Sequence, residues 1–256
     1  MAMPGVHLSL HRTEETPPLS SAFAIMISLP HHIAIPKTGK GPGVLVLHSW
    51  WGLNGFFRGL CDRFADEGFV ALAADLYDGS VAGTVAEAKK LRAKVTASRK
   101  EPAYKYLIRM IGELRSASAV DEIGVVGFSM GGHWAYWLAQ RPDLPIIARV
   151  TFYAARNGDY SESRSSFLAH FAETDKWVSK ASVKKLESSL FKAGRAFEFH
   201  TYPATGHWFF EEDRTEAYEP EAAMLSWART IDFLKKRMSI KPLERIASAP
   251  RVPATR

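Results

Sequence analysis

Cysteine is all but missing from this 256-residue chain, where Cys61 is the one copy. That excludes an intramolecular disulfide framework and suits a reducing compartment, so a cytoplasmic location is expected. Long apolar runs are missing too. No stretch reaches the roughly 18 residues that a membrane-spanning helix needs, so no membrane partner is expected. The N-terminal region has no basic segment followed by a long apolar one. "SAFAIMISL" is short and strand-like, and no secretory leader is expected. Neither a His-Glu-x-x-His nor a Cys-x-x-Cys spacing occurs, which removes common signatures of a metalloenzyme. No metal and no cofactor are expected.

An excess of one charge is also modest. Lys and Arg number 33 against 27 Asp and Glu, a net charge of +6. The basic residues are scattered through helical segments that also carry acids. The densest run, "KKRMSIKPLERIASAPRVPATR", contains prolines and reads as a loosely ordered tail. With no zinc-finger spacing and no RNA-binding aromatic signature beside it, charge alone is a weak guide, and nucleic acid is not an expected partner. Hydrophobic content of 46% is ordinary for a globular chain able to bury a substantial core.

What the sequence does contain is alternation. Residues 1–20 are polar and aperiodic, and residues 239–256 form the basic tail; one domain is expected over 21–238. "AFAIMISLP" and "HIAIP" read as two short strands, an antiparallel pair at a sheet edge. Strands then follow at 44–48, 69–75, 123–128, 149–154, 166–172 and 196–202. Helices are predicted over 55–67, 84–97, 102–117, 130–140, 179–193 and 220–237. Gly68 and Gly194 stop two of them, and Pro220 suits a first helical turn. Such alternation implies an α/β fold with a mainly parallel, doubly wound sheet covered by helices on both faces. Ligands of such sheets bind outside the carboxyl ends of the strands. The chemistry should sit there.

The strand "IGVVGF" runs straight into "GFSMGG", which holds Gly-x-Ser-x-Gly around Ser129. A nucleophile on a sharp strand-to-helix turn needs small neighbours, and Gly127 and Gly131 supply them. The pattern is weak alone and becomes specific in that context. A serine hydroxyl needs a base to take its proton and a carboxylate to orient the base. Asp175 lies just past the strand "SFLAHFA", although an aspartate there is more often a turn or cap residue; Asp159 and Glu173 compete with it. His207 follows the strand "AFEFHTY" in "PATGHWFFEE". Of the other histidines, His170 and His200 sit inside strands, where a hydrogen-bonded core histidine is the bland expectation. His31 and His32 read as loop or edge residues, and His133 as a helix-rim residue. Only His207 completes the order Ser, acid, His. The amide of Met130, next after the nucleophile, is the expected first oxyanion donor.

With these residues placed, the chain resembles the dienelactone hydrolase family of α/β-hydrolases over about residues 42–238. The resemblance is carried by "HSWWGLN", "CDRFADEGFVALAADLYDG", "VGFSMGG", "FYAA", "ETDKWVS", "YPATGHWFF" and "YEPEAA". It implies an α/β-hydrolase fold, supports Asp175, and makes the amide of Trp50 the second oxyanion donor. Ser49, Trp51, Tyr77, Tyr153 and Trp208 are expected around the pocket, with Trp51 the more structural of the paired tryptophans.

Four departures stand out. Family members known as dienelactone hydrolases carry cysteine where this chain has Ser129, and many relatives carry glutamate where it has Ser49. Arginines that hold the lactone's carboxylate fall at Gly79 and Glu211. Neither residue can clamp a carboxylate, and Glu211 would repel one. The expected activity is therefore a carboxylic ester hydrolase working through Ser129, Asp175 and His207 on a small uncharged ester or lactone, as a monomer or weak homodimer. The alternatives are a non-catalytic ligand-binding homologue and an acyltransferase with the same three residues.

Overall fold

The structure, a computed structural model, describes residues 31–97 and 100–238. The expected N-terminal segment, the strand over "AFAIMISLP" and the basic tail lie outside the described residues. In chain order the elements are β1 (His32–Ala34), β2 (Gly43–Leu47), α1 (Gly55–Asp66), β3 (Val70–Ala74), α2 (Val85–Ala97), α3 (Lys100–Ala117), β4 (Ile123–Phe128), α4 (Met130–Ala139), β5 (Ile146–Phe152), β6 (Ser166–Ala172), α5 (Lys180–Lys192), β7 (Phe197–Tyr202) and α6 (Pro220–Arg237).

The strands form one seven-stranded sheet in the order β1-β3-β2-β4-β5-β6-β7. β1 is antiparallel to β3, and the remaining pairs are parallel. Every residue of β2 is buried, as the run of Val44, Leu45, Val46 and Leu47 requires. Because successive side chains point to opposite faces, the two valines and the two leucines serve different layers. Val44 and Val46 meet Phe57, Leu60 and Phe64 of α1 and Leu234 of α6. Leu45 and Leu47 join Leu107 and Leu114 of α3 and Trp134 and Leu138 of α4. α5 adds Leu186 and Leu190 beside Phe167.

Local signals set most element ends. Asn54 caps α1 by accepting the Phe57 amide, and Ser179 caps α5 by accepting that of Ser182. Gly68 and Gly194 leave their helices with φ of 94° and 65°, where a side chain would be strained. Most element ends fall within a residue of the sequence reading, and β5 and α3 depart further. β5 begins at Ile146 rather than 149 and stops at Phe152, because Tyr153 takes a φ of 39° that breaks the strand. α3 begins at Lys100 rather than 102.

From β2 the chain goes to β3 on one side and reaches β4 on the other. The crevice between the carboxyl ends of β2 and β4 is thus the switch point where doubly wound sheets bind ligands.

Candidate active site

Ser129 sits at the carboxyl end of β4 and caps α4, with φ 49° and ψ −108°. A left-handed backbone at a non-glycine residue costs on the order of 1–3 kcal/mol and persists only where its surroundings enforce it. Here they do. A Cβ at Gly127 would lie 2.5 Å from the Gly131 carbonyl oxygen, and one at Gly131 would lie 2.1 Å from that of Leu47. The turn closes only because both residues are glycine, and the Ser129 amide then bonds the Phe152 carbonyl at 3.0 Å.

Three side chains from three strand ends meet at this turn. Ser129 Oγ lies 2.9 Å from His207 Nε2, and His207 Nδ1 lies 2.7 Å from Asp175 Oδ2. Asp175 Oδ1 accepts the amides of Trp177 at 2.7 Å and Val178 at 3.0 Å. An acceptor-only carboxylate held this way fixes the proton on His207 Nδ1 and leaves Nε2 free to accept from the serine hydroxyl. The ring of Tyr153 lies 4.7 Å from that of His207, and Trp208 meets it edge-on at 4.9 Å. The competitors fall elsewhere: Asp159 accepts the Ser161 amide, and Glu173 accepts that of Ala204. His170 is wholly buried between the hydroxyls of Tyr202 and Thr230, as a core histidine should be.

A cavity of about 120 Å³ opens over these groups, bordered by Trp50, Met130, Tyr153, Trp177 and His207. Among the described residues, no hydrogen-bond acceptor meets the backbone N–H of Trp50 or of Met130. A larger cavity of about 630 Å³ is lined by Asp175, Phe171, Lys180 and Lys184 and holds neither Ser129 nor His207.

Of the expected pocket residues, Tyr153 lines the small cavity and four do not. Ser49 is fully buried beneath it, and its hydroxyl donates to Glu211 at 2.8 Å. Trp51 is 3% exposed under the Arg214 guanidinium, so its role is packing. Tyr77 is 5% exposed, turned towards Met130 Sδ and edge-on to His48. Trp208 backs His207 and packs on Trp50 and Trp51. Sequence reasoning missed Arg92, Trp177 and Val178, which do line the cavity together with His133, read there as a helix-rim residue. Trp177 and Val178 had a signal, since they follow Asp175 in the same loop. Arg92, solvent-exposed on α2, had none.

The structure also shows how the two residues at the family's arginine positions are held. Gly79 has φ 84°, and its amide bonds Asp75 Oδ2 at 2.7 Å, a conformation that favours glycine. Glu211 does not face the pocket. It is fully buried, accepting the Tyr153 hydroxyl at 2.7 Å on one oxygen and that of Ser49 on the other. Burial pushes its carboxyl up to about 8, against the hydrogen bonds from Tyr153 and Ser49, which favour the charged form. The departures at Ser49 and Glu211 are thus one coupled arrangement.

Comparison with known proteins fits this geometry. The sequence profile of the dienelactone hydrolase family matches residues 29–238. The chain belongs to the dienelactone hydrolase family. Within it, the chain is similar to protein usf of Aquifex pyrophilus, with 34% identity over 81% of this chain and 93% of that protein. It is also similar to the carboxymethylenebutenolidase of Pseudomonas sp. strain P51, with 27% identity over 83% of this chain and 90% of the relative. Among solved structures, a dienelactone hydrolase-like promiscuous phosphotriesterase from metagenomic libraries shares the fold. Its TM-score is 0.72 at 21% identity, covering 81% of this chain and 92% of that one. The chain is accordingly a dienelactone-hydrolase-like hydrolase of the carboxylic ester class.

Proposed function

We propose that the chain hydrolyses short carboxylic esters or lactones through an acyl-enzyme on Ser129. The observation that carries this reading is the hydrogen-bonded series from Ser129 through His207 to Asp175 at the strand ends. His207 Nε2 takes the Ser129 proton as the hydroxyl oxygen attacks the carbonyl carbon. The tetrahedral oxyanion is met by the amides of Trp50 and Met130, each worth about 2.7–4 kcal/mol by comparison with other enzymes. The imidazolium then protonates the departing alcohol. A water deprotonated by His207 attacks the acyl carbon and releases the acid, returning the proton to Ser129. Asp175 holds the tautomer and stabilises the imidazolium. A serine needs only this base, which accords with the loss of the family's cysteine and of the carboxylate at position 49.

The cavity's size favours a short acyl group, and its wall of Trp50, Tyr153 and Trp177 favours an uncharged one. Arg92 brings a cation to the rim. It is solvent-exposed, where attraction to a substrate carboxylate is weakened by water and salt. A neutral ester remains the preferred substrate.

The decisive experiment is Ser129→Ala, assayed on a short chromogenic ester and by labelling with a serine-reactive fluorophosphonate. Both signals should vanish. Turnover at the wild-type rate in Ser129→Ala would falsify the assignment.

A further inference from the structure

His48 follows β2 directly and is wholly buried, yet it has no part in the proton transfers above. Its ring makes two hydrogen bonds. The Leu76 amide donates to Nε2 at 3.1 Å, and Nδ1 lies 2.5 Å from the Ser49 carbonyl oxygen. An amide N–H can only donate, so Nε2 carries the lone pair; the proton of the neutral ring is on Nδ1 and is given to Ser49. Burial holds the ring below its usual titration range despite Asp75 beside it, which keeps this neutral tautomer in place.

The Ser49 carbonyl and the Trp50 N–H belong to one peptide plane, and in a trans peptide they point in opposite directions. Fixing the carbonyl on the His48 side therefore fixes the N–H on the pocket side, where Trp50 borders the cavity and its amide has no acceptor among the described residues. A hydrogen bond accepted by the carbonyl also polarises the N–H of the same amide. The side chain of Ser49 is tied independently by its bond to Glu211.

We propose that His48 is a positioning residue for the oxyanion site: its Nδ1–H bond to the Ser49 carbonyl aims the Trp50 N–H at the reacting oxygen, while the Ser49–Glu211 bond steadies the same residue from its side chain. The proposal rests on the reading that Trp50 donates to the oxyanion. It gives a role in the reaction to a histidine that touches neither substrate nor nucleophile.

Two polar variants separate the ring's ends. His48→Asn carries an N–H donor at the height of Nδ1, so it keeps the contact to the Ser49 carbonyl. His48→Gln reaches to the height of Nε2, where it can accept from Leu76 but takes the 2.5 Å donor from that carbonyl, leaving it only the long 3.4 Å contact from the Gly52 amide. For a neutral ester, His48→Gln should lose about 10²-fold in kcat with KM within about twofold, as expected for a group acting in the transition state. His48→Asn should keep kcat within about fivefold of wild type. Affinity for a trifluoromethyl ketone, which forms a tetrahedral oxyanion on the serine, should fall in parallel with kcat/KM. Equal kcat in the two variants would overturn the proposal, as would unchanged inhibitor affinity in His48→Gln.

Should either variant not fold, the wild-type enzyme still decides. The His48 Nδ1 proton resonance should shift when the trifluoromethyl ketone adduct forms, and an unmoved resonance rejects the coupling. Ser129→Ala distinguishes the two levels of failure. Retained turnover there defeats the serine mechanism itself, whereas an inactive Ser129→Ala beside a fully active His48→Gln defeats only this proposal.

Discussion

The loops after β6 and β7 each carry a carboxyl group, one at the site and one buried behind it, and they treat it in opposite ways. Asp175 is surrounded by N–H donors: His207 Nδ1 and the amides of Trp177 and Val178. Such donors can only stabilise a negative charge. Glu211 is met by the hydroxyls of Ser49 and Tyr153 in a fully buried setting, with Arg214 the cation that favours its charge. A hydroxyl can turn and accept, so it tolerates a protonated acid, and burial then decides in favour of the neutral form. Two neighbouring carboxyl groups are thus given different jobs by donor type and burial. One is hydrogen-bonded to the His207 ring, and the other ties Ser49 to Tyr153 as a polar peg.

That contrast can be broken at several points. The largest effect is expected from Asp175→Asn. Its amide oxygen can keep the Trp177 and Val178 donors, but its NH₂ meets His207 Nδ1 and forces the proton onto Nε2, facing Ser129. Turnover of a short ester should fall by about 10⁴-fold, as in serine hydrolases whose orienting aspartate is neutralised. A loss below tenfold in steady-state assays would make Asp175 an ordinary turn residue.

Glu211→Gln tests the other arm through stability. With a folded value of about 8 against the usual 4.5, Glu211 holds a proton in the native state over a window where the unfolded chain has released it. The native state then binds more protons, so stability falls as pH rises through that window and levels off above it. Tyr153, Asp213 and Arg214 face the same group and shift the window without reversing its sign. Removing the ionisable group should flatten this decline. Denaturant unfolding at pH 5 and pH 8.5 should show the variant gaining on wild type by a few kcal/mol, in order of magnitude, between the two. Parallel curves for both proteins would show that Glu211 is charged in the folded state.

A smaller change is expected from Tyr153→Phe, which removes one hydroxyl from Glu211 while keeping the ring against His207. The loss should be about 1–3 kcal/mol in stability by chemical denaturation. It should also push the Glu211 carboxyl further up, since that hydroxyl favours the charged form. The smallest effect belongs to Arg92→Gln. Turnover of a neutral ester should change by less than about twofold, because an exposed cation on the rim is screened. A tenfold loss confined to a carboxylate-bearing ester would instead make Arg92 a substrate clamp.

The Ser129 turn and the Ser49–Glu211 contact show what kinds of inference the sequence supports. Gly127 and Gly131 announce the turn because the requirement for small residues is local, acting between a strand end and the helix that follows it. Asp175 and His207 were legible because each lies just past a strand whose alternation is visible in a short window. Tyr77 was misplaced, and Trp51 proved structural rather than pocket-lining, because aromatic type says nothing about which way a ring turns. Arg92 went unnoticed because the path of α2 over the pocket has no signature in its own residues.

The sequence by itself thus determined the alternating strands and helices, the glycine-flanked turn at Ser129, and the placing of Ser129, Asp175 and His207 just past strand ends. All of these rest on periodicity and turn chemistry that act over a few residues. Only the tertiary structure decided that Ser49 and Glu211, 162 positions apart, share a hydrogen bond. It alone showed that the glutamate is buried rather than facing the cavity, and that the His48 ring bonds the Ser49 carbonyl. Burial and partner choice are set by distant segments brought into contact, and they fix whether a carboxyl carries charge and where an amide points.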